Sequence, residues 1–150
     1  MSVKPIPDGF HAVTPYLFVE GASRLIEFIS AAFNGELTSR ETRPDGAIMH
    51  AAMRVGDSML MLADATPPFG PMPASIYLYV RDSDAVYQSA LNAGGVSVFP
   101  IMTLPSGQRY GWRQGPVRQH LVGRHSSGRC VTRGARTTLE KLPDAAADEQ

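Results

Sequence analysis

Apolar positions along this chain keep two alternating rhythms and then lose any rhythm. AVTPYLFV, from Ala12 to Val19, is a short β-rich run. It leads into GASRLIEFISAAFNG, where Ala22, Leu25, Ile26, Ile29, Ala32 and Phe33 recur at helical spacing and Asn34-Gly35 supplies a C-cap. ELTSRET, a PDG turn at Pro44 to Gly46, AIMHAAMRV, a GD turn at Gly56-Asp57 and SMLMLAD follow as three strands. The pattern predicts a β-α-β-β-β unit over 11–64, preceded by a Pro/Gly-rich leader at 1–10 and followed by a Pro-rich linker, ATPPFGPMPA, at 65–74.

The order then restarts. SIYLYV, from Ser75, sits 61 residues after TPYLFV, from Thr14, and the Tyr, Leu, aromatic and Val positions coincide. SDAVYQSALNAGG places Val86, Ala90, Leu91 and Ala93 on one helical side and stops at Gly94-Gly95, and VSVFPI follows as a strand. This is an internal repeat, and a unit so small cannot bury one sheet face alone, so the halves are expected to pack together. The fold class predicted is α+β, built of two βαβββ-type repeats. The second, 75–111, lacks its terminal strands, because Trp112 onward shows neither helical nor strand periodicity.

Composition changes this picture in one place. Lys plus Arg and Asp plus Glu both number 14, so the whole chain offers no electrostatic case for nucleic acid or anionic lipid. The residues from Trp112 to Arg136, however, carry six arginines and no acid. One cysteine, Cys130, excludes an internal disulfide framework and suits a reducing compartment. MSVKPIPDGFHAV has no apolar core of a signal peptide and no apolar run approaches spanning length, so a cytoplasmic protein without a membrane partner is the expectation.

HAVTPYLFVEGASRLIEFISAAFNG, PDGAIMHAAMRVGDSMLMLAD and IYLYVRDSDAVYQSALNAGG resemble the vicinal oxygen chelate superfamily, which includes glyoxalase, bleomycin-resistance proteins and extradiol dioxygenases, and most of all its PhnB-like branch. The resemblance covers His11 to Gly111. Members of that branch end in a segment like GGVKDPFGNxWWVATH, which implies a closing strand that this chain does not spell. Back-translated and read one base later, Trp112 to Ser126 yields GVKDPFGNIWWVATH with permitted synonymous codons, fifteen consecutive matches. Every residue from Arg113 to His125 also accepts a codon starting with C or G, as expected of a GC-rich gene read out of phase. The reading is a frameshift near Gly111-Trp112. It predicts an impaired protein in which 112–150 adds little order and the second sheet keeps an open edge.

The resemblance also implies where chemistry sits. Metal-using members carry His or Glu on inner strands of both halves. Alignment puts Thr14 and Ser75 at the two His positions and Met61 near a Glu position. Hydroxyls and a thioether are poor ligands for Zn, Fe or Mn, so neither a metal nor another cofactor is expected. Related sequences show a His-Ala-acid triplet where this chain has His50, Ala51 and Ala52, so any acid that orients the imidazole is missing. Tyr16 and Tyr77 share a strand side with Thr14 and Ser75 and are read as cavity walls with polar tips. Arg109 is a candidate cation for an anionic ligand. His11 reads as a loop histidine, and Met49, Met53, Met59 and Met72 as core filling.

The candidate substrate-binding set is therefore Thr14, Tyr16, His50, Met61, Ser75, Tyr77 and Arg109, with no catalytic residue assigned. The leading reading is metal-independent small-molecule binding between the repeats, in a chain that the resemblance implies is a homodimer. Two alternatives stay open: a divalent-metal lyase or dioxygenase, and nucleic-acid binding through the Arg-rich tail. The tail has no interleaved aromatic platform for bases, which weighs against the second.

Overall fold

A computed structural model describes residues 4–116 and 120–125. The first repeat runs β1 (Tyr16–Val19), α1 (Ala22–Phe33), β2 (Glu36–Thr42), β3 (Ile48–Val55) and β4 (Ser58–Asp64). Its sheet has the order β1-β4-β3-β2, with β1 parallel to β4 and the other pairs antiparallel. The second repeat follows with β5 (Ser75–Tyr79), α2 (Ser83–Asn92), β6 (Val96–Thr103), β7 (Arg109–Gln114) and β8 (His120–His125), ordered β5-β8-β7-β6. Tyr16 and Tyr77 occupy equivalent places at the open edge of each sheet. The α+β class and the doubled β-α-β-β-β order are those the sequence predicts.

Local chemistry explains the boundaries. Pro15 has no N–H to offer a ladder, and β1 begins only after it. Asn34 ends α1 in the left-handed region (φ 54°), with Gly35 N–H bonded to the Ile29 carbonyl at 3.2 Å. At the start of α2, the Asp82 carboxylate accepts from Ala85 N–H at 3.0 Å. The Pro-rich linker is not free chain. Met72 N–H bonds to the Phe18 carbonyl at 3.0 Å, so the linker lies along the outer edge of β1.

The core is lopsided. Leu25, Ile29, Ile48, Met53 and Leu62 are fully buried between α1 and the first sheet. Among the described side chains, every buried apolar one except Ala90 belongs to the first repeat. The two repeats meet through α1 and α2, and no strand of one sheet is hydrogen-bonded to the other. Gly95 permits that meeting: a Cβ there would stand 2.7 Å from the Ala90 carbonyl oxygen and 3.2 Å from the Phe28 ring.

The structure differs from the sequence reading at the end of the second repeat. The backbone does not stop being regular at Gly111. β7 continues to Gln114, and β8 takes the position between β5 and β7, with Ser75 opposite His120 and Trp112 opposite Val122. Ladder hydrogen bonds come from backbone groups that every non-proline residue carries, so a strand forms there whatever its side chains. The remainder of the expected tail, from 126, lies outside the described residues.

Candidate functional site

Alternation sorts the seven candidates onto three surfaces. On β1, Leu17 and Val19 point into the core, so Tyr16 and Phe18 face the opposite, open side of the first sheet. Met61 stands beside Tyr16 in register, with Ala52 beyond it on β3. His50 meets Tyr16 edge-on, ring centroids 5.7 Å apart, while Phe18 stacks on Phe69 of the linker at 5.0 Å. Tyr16, His50 and Met61 are thus gathered as expected. Thr14 sits at the entry of β1 with its hydroxyl donating to the His11 carbonyl at 3.1 Å.

Ser75 and Tyr77 alternate with the core-facing Ile76 and lie on the open side of the second sheet. Tyr77 neighbours Tyr79 at 5.2 Å and Tyr110 at 6.4 Å. Burial raises the Tyr110 phenol above its ordinary range, and Tyr77 adds to the effect. Because the helices lie between the repeats, this face and the Tyr16 face are not brought together within one chain.

Arg109 belongs to neither face. It alternates with Tyr110 and turns toward α2, where Nε and Nη2 donate to the two oxygens of Asp84 and Nη1 donates to the Thr103 hydroxyl at 3.1 Å. The hydrogen bonds that Arg109 donates to Asp84 outweigh partial desolvation and hold its pKa above the usual arginine value. A guanidinium engaged in this way pins β7 to α2.

What lies between the repeats is a cleft of ≈ 960 Å³, within the size range of small-molecule pockets. His11, Val13 and Met59 line the side of the first repeat, and Tyr77, Tyr79 and Arg81 the side of the second. Of the seven candidates only Tyr77 borders it. The sequence reading missed Tyr79, although Tyr79 shares the alternation of Tyr77. It also set His11 aside as a loop residue, and the loop is part of the wall. Among the described residues, no three His, Cys, Asp or Glu side chains cluster. The hydroxyls of Thr14 and Ser75 and the thioether of Met61 do not fit a divalent-metal site, and two sheets separated by helices do not converge them.

Asp64 is a second residue that the sequence does not flag. Its carboxylate accepts from Gly21 N–H (3.0 Å), Ala22 N–H (2.8 Å) and Ile48 N–H (2.7 Å), joining the end of β4 to the start of α1 and of β3. Gly21 has no side chain to cap α1, so Asp64 supplies the cap from across the sheet. Burial pushes its pKa up. The three N–H donors and the charge of Arg43 outweigh that and hold it below the ordinary carboxylate range.

The comparisons agree with this architecture. The chain is 35% identical over 120 residues to the uncharacterized protein Rv0887c of Mycobacterium tuberculosis, covering 73% of this chain and 71% of that one. A PhnB protein from Bacillus cereus superposes with a TM-score of 0.63 at 21% identity, covering 77% of this chain and 100% of that one. A glyoxalase/bleomycin resistance protein from Catenulispora acidiphila gives a TM-score of 0.58 at 16% identity, over 76% and 96%. No family model matches the chain. Doubled βαβββ repeats with open sheet faces define the fold of the glyoxalase/bleomycin-resistance class. The chain belongs to the family of the mycobacterial protein, and its fold is that of the PhnB and glyoxalase/bleomycin resistance structures. No described helix is long and apolar enough to cross a membrane.

Proposed function

We propose that this chain is a metal-independent holder of a small organic molecule, impaired in the form its present sequence specifies. The observation that carries the reading is the ≈ 960 Å³ cleft, whose walls combine apolar side chains with the polar groups of His11, Asp57, Ser58, Tyr77, Tyr79 and Arg81. Holding requires only fit and exclusion of water, and nothing in the donor set favours Lewis-acid chemistry.

A thermal-shift screen of neutral and anionic aromatic compounds, repeated on Tyr79→Ala and Tyr16→Ala, tests this. Tyr79→Ala is expected to weaken any hit by about tenfold, the loss of one aromatic contact of roughly 1.4 kcal/mol, and Tyr16→Ala to leave it unchanged. The reverse order would move the site to the open face of the first sheet, where Tyr16, His50 and Met61 meet, and would overturn the cleft. Protein purified from metal-supplemented cells should hold only substoichiometric metal and melt alike with and without a chelator. One tightly bound ion per chain would contradict metal independence.

The same reading takes the protein as a homodimer. Tyr16, Met49 and the linker's Phe69 on one side and Tyr79, Val96 and Phe99 on the other are large apolar side chains left exposed and available to a second copy. Sedimentation at micromolar concentration should give twice the chain mass; a monomer would contradict it. Arg113 in the tail is buried and so unavailable to phosphate, which further weakens a nucleic-acid role.

A further inference from the structure

Residues 76–81 line the cleft without a gap. Neighbouring side chains of a strand point to opposite faces, so an unbroken run borders the edge of the strand and not one face. β5 ends its sheet: β8 pairs with it on one side, and no described strand adjoins the other. β2 and β6 end their sheets too but contribute nothing to the cleft. The first repeat shows which backbone groups such an edge presents. The Pro15 and Val19 carbonyls accept from Met61 and Ala65 N–H on the β4 side, whereas the Phe18 carbonyl turns outward and accepts from Met72 N–H of the linker. Phe18 and Tyr79 are equivalent positions, 61 residues apart in the repeat. Tyr79 and, two places earlier, Tyr77 therefore turn their backbone N–H and C=O groups to the open edge of β5. In the first repeat, backbone of the linker meets that edge. At β5 the cleft takes the equivalent place, and among the described residues no backbone hydrogen bond from outside the sheet reaches 75–79.

We propose, on the reading of the cleft as the ligand site, that its ligand is a short peptide, about five residues long to match β5, added to the open edge as a further strand. Backbone donors and acceptors open to the cleft call for a ligand that carries both at strand spacing, which a peptide does and a flat aromatic compound does not. Alternate side chains of the added strand follow Tyr77 and Tyr79 on one face and Ile76 and Leu78 on the other, so apolar residues suit both. Charge agrees. The cleft wall holds one arginine and one acid, Arg81 and Asp57, and a free peptide carries one carboxylate and one ammonium.

Titration of the full chain with Val-Ala-Val-Ala-Val, free at both ends, tests this. Two further versions are N-methylated at alternate residues, the second and fourth or the third and fifth. Alternate N–H groups of an added strand face β5, so one methylated version should lose roughly tenfold or more in affinity and the other should keep it. Tyr79→Pro removes an edge donor and leaves the β8 ladder intact, so it should melt like the parent and lose the unmethylated peptide. Tyr79→Ala, which keeps the N–H, should weaken the peptide less. Equal effects of the two methylations, or binding that survives Tyr79→Pro, would overturn the proposal. Aromatic compounds that bind in the cleft where the peptide does not would also overturn it and leave the cleft standing as a site. If neither class binds, both readings fall.

Discussion

Removing one base at the codons for Gly111-Trp112 is expected to yield a protein roughly 5 kcal/mol more stable to unfolding than the chain as written. β8 is the strand between β5 and β7, with Ile76 and Arg113 opposite residue 121, and Leu78 and Gly111 opposite residue 123. The present sequence has Leu121 and Gly123 at those register positions. In the phase read one base later they would become tryptophan and valine, and residue 113 would become valine. Each such side chain buried contributes roughly 1.5–3 kcal/mol, and the buried guanidinium disappears with its desolvation cost. The repeat that gains them is the one whose only buried apolar side chain, among the described residues, is Ala90. Urea unfolding of the two proteins side by side reads the difference. The restored protein should show a higher midpoint and a steeper slope, since more surface is exposed on unfolding. Equal midpoints would mean that the second repeat is already as well packed as its sequence allows.

Asp64→Ala is expected to cost about 2–4 kcal/mol, one of the largest losses available from a single residue outside the apolar core. Three backbone N–H groups would lose their acceptor at once, two of them at the otherwise uncapped start of α1. Asp64→Asn should cost about half as much, because the amide oxygen accepts on one side only and the charge facing the helix terminus is lost. The sign of the pH dependence follows from the depressed pKa. The carboxylate is ionised in the native state to lower pH than in the unfolded chain. Its contribution is therefore fully present above the unfolded value near 3.9 and is lost as pH falls through the lower native value. Parent and Asp64→Asn should differ in stability at pH 7 and converge as the pH falls through the lowered native value. A constant gap down to pH 2 would show that the carboxylate acts by shape alone.

The contrast between these residues shows what a sequence displays. The repeat was legible because strand alternation, helical spacing and glycine or asparagine stops are local patterns, and they recur at matching places from Thr14 and Ser75. Tyr16, His50 and Met61 were legible as neighbours for the same reason, since parity along paired strands places them on one face. Asp64 was not. It acts on backbone groups more than forty residues earlier in the chain, and no side-chain pattern marks them. The ion pair of Arg109 with Asp84 was not legible, because the sequence shows a cation near a strand but not the parity that turns it toward α2. The cleft was foreseen only as lying between the repeats. Most of its wall comes from the turn between β3 and β4 (55–60) and from β5 and its exit (76–81), while the helices separate the two faces that carry the other candidates. β8 marks a different limit: a backbone ladder forms even where side-chain rhythm has vanished, so loss of periodicity did not mean loss of the strand.

All of this turns on the phase of the coding sequence from Trp112, and the measurement that tests it most directly is the nucleotide sequence across the codons for Arg109 to Ser126. The account predicts codons that, read one base later, spell GVKDPFGNIWWVATH. In particular the codon for Leu121 must end in TG and that for Val122 must be GTG. Any other codon at either place, or a stop in the shifted phase before Ser126, would contradict it, and Arg113 and β8 would then be the native residues of an unusually built second repeat.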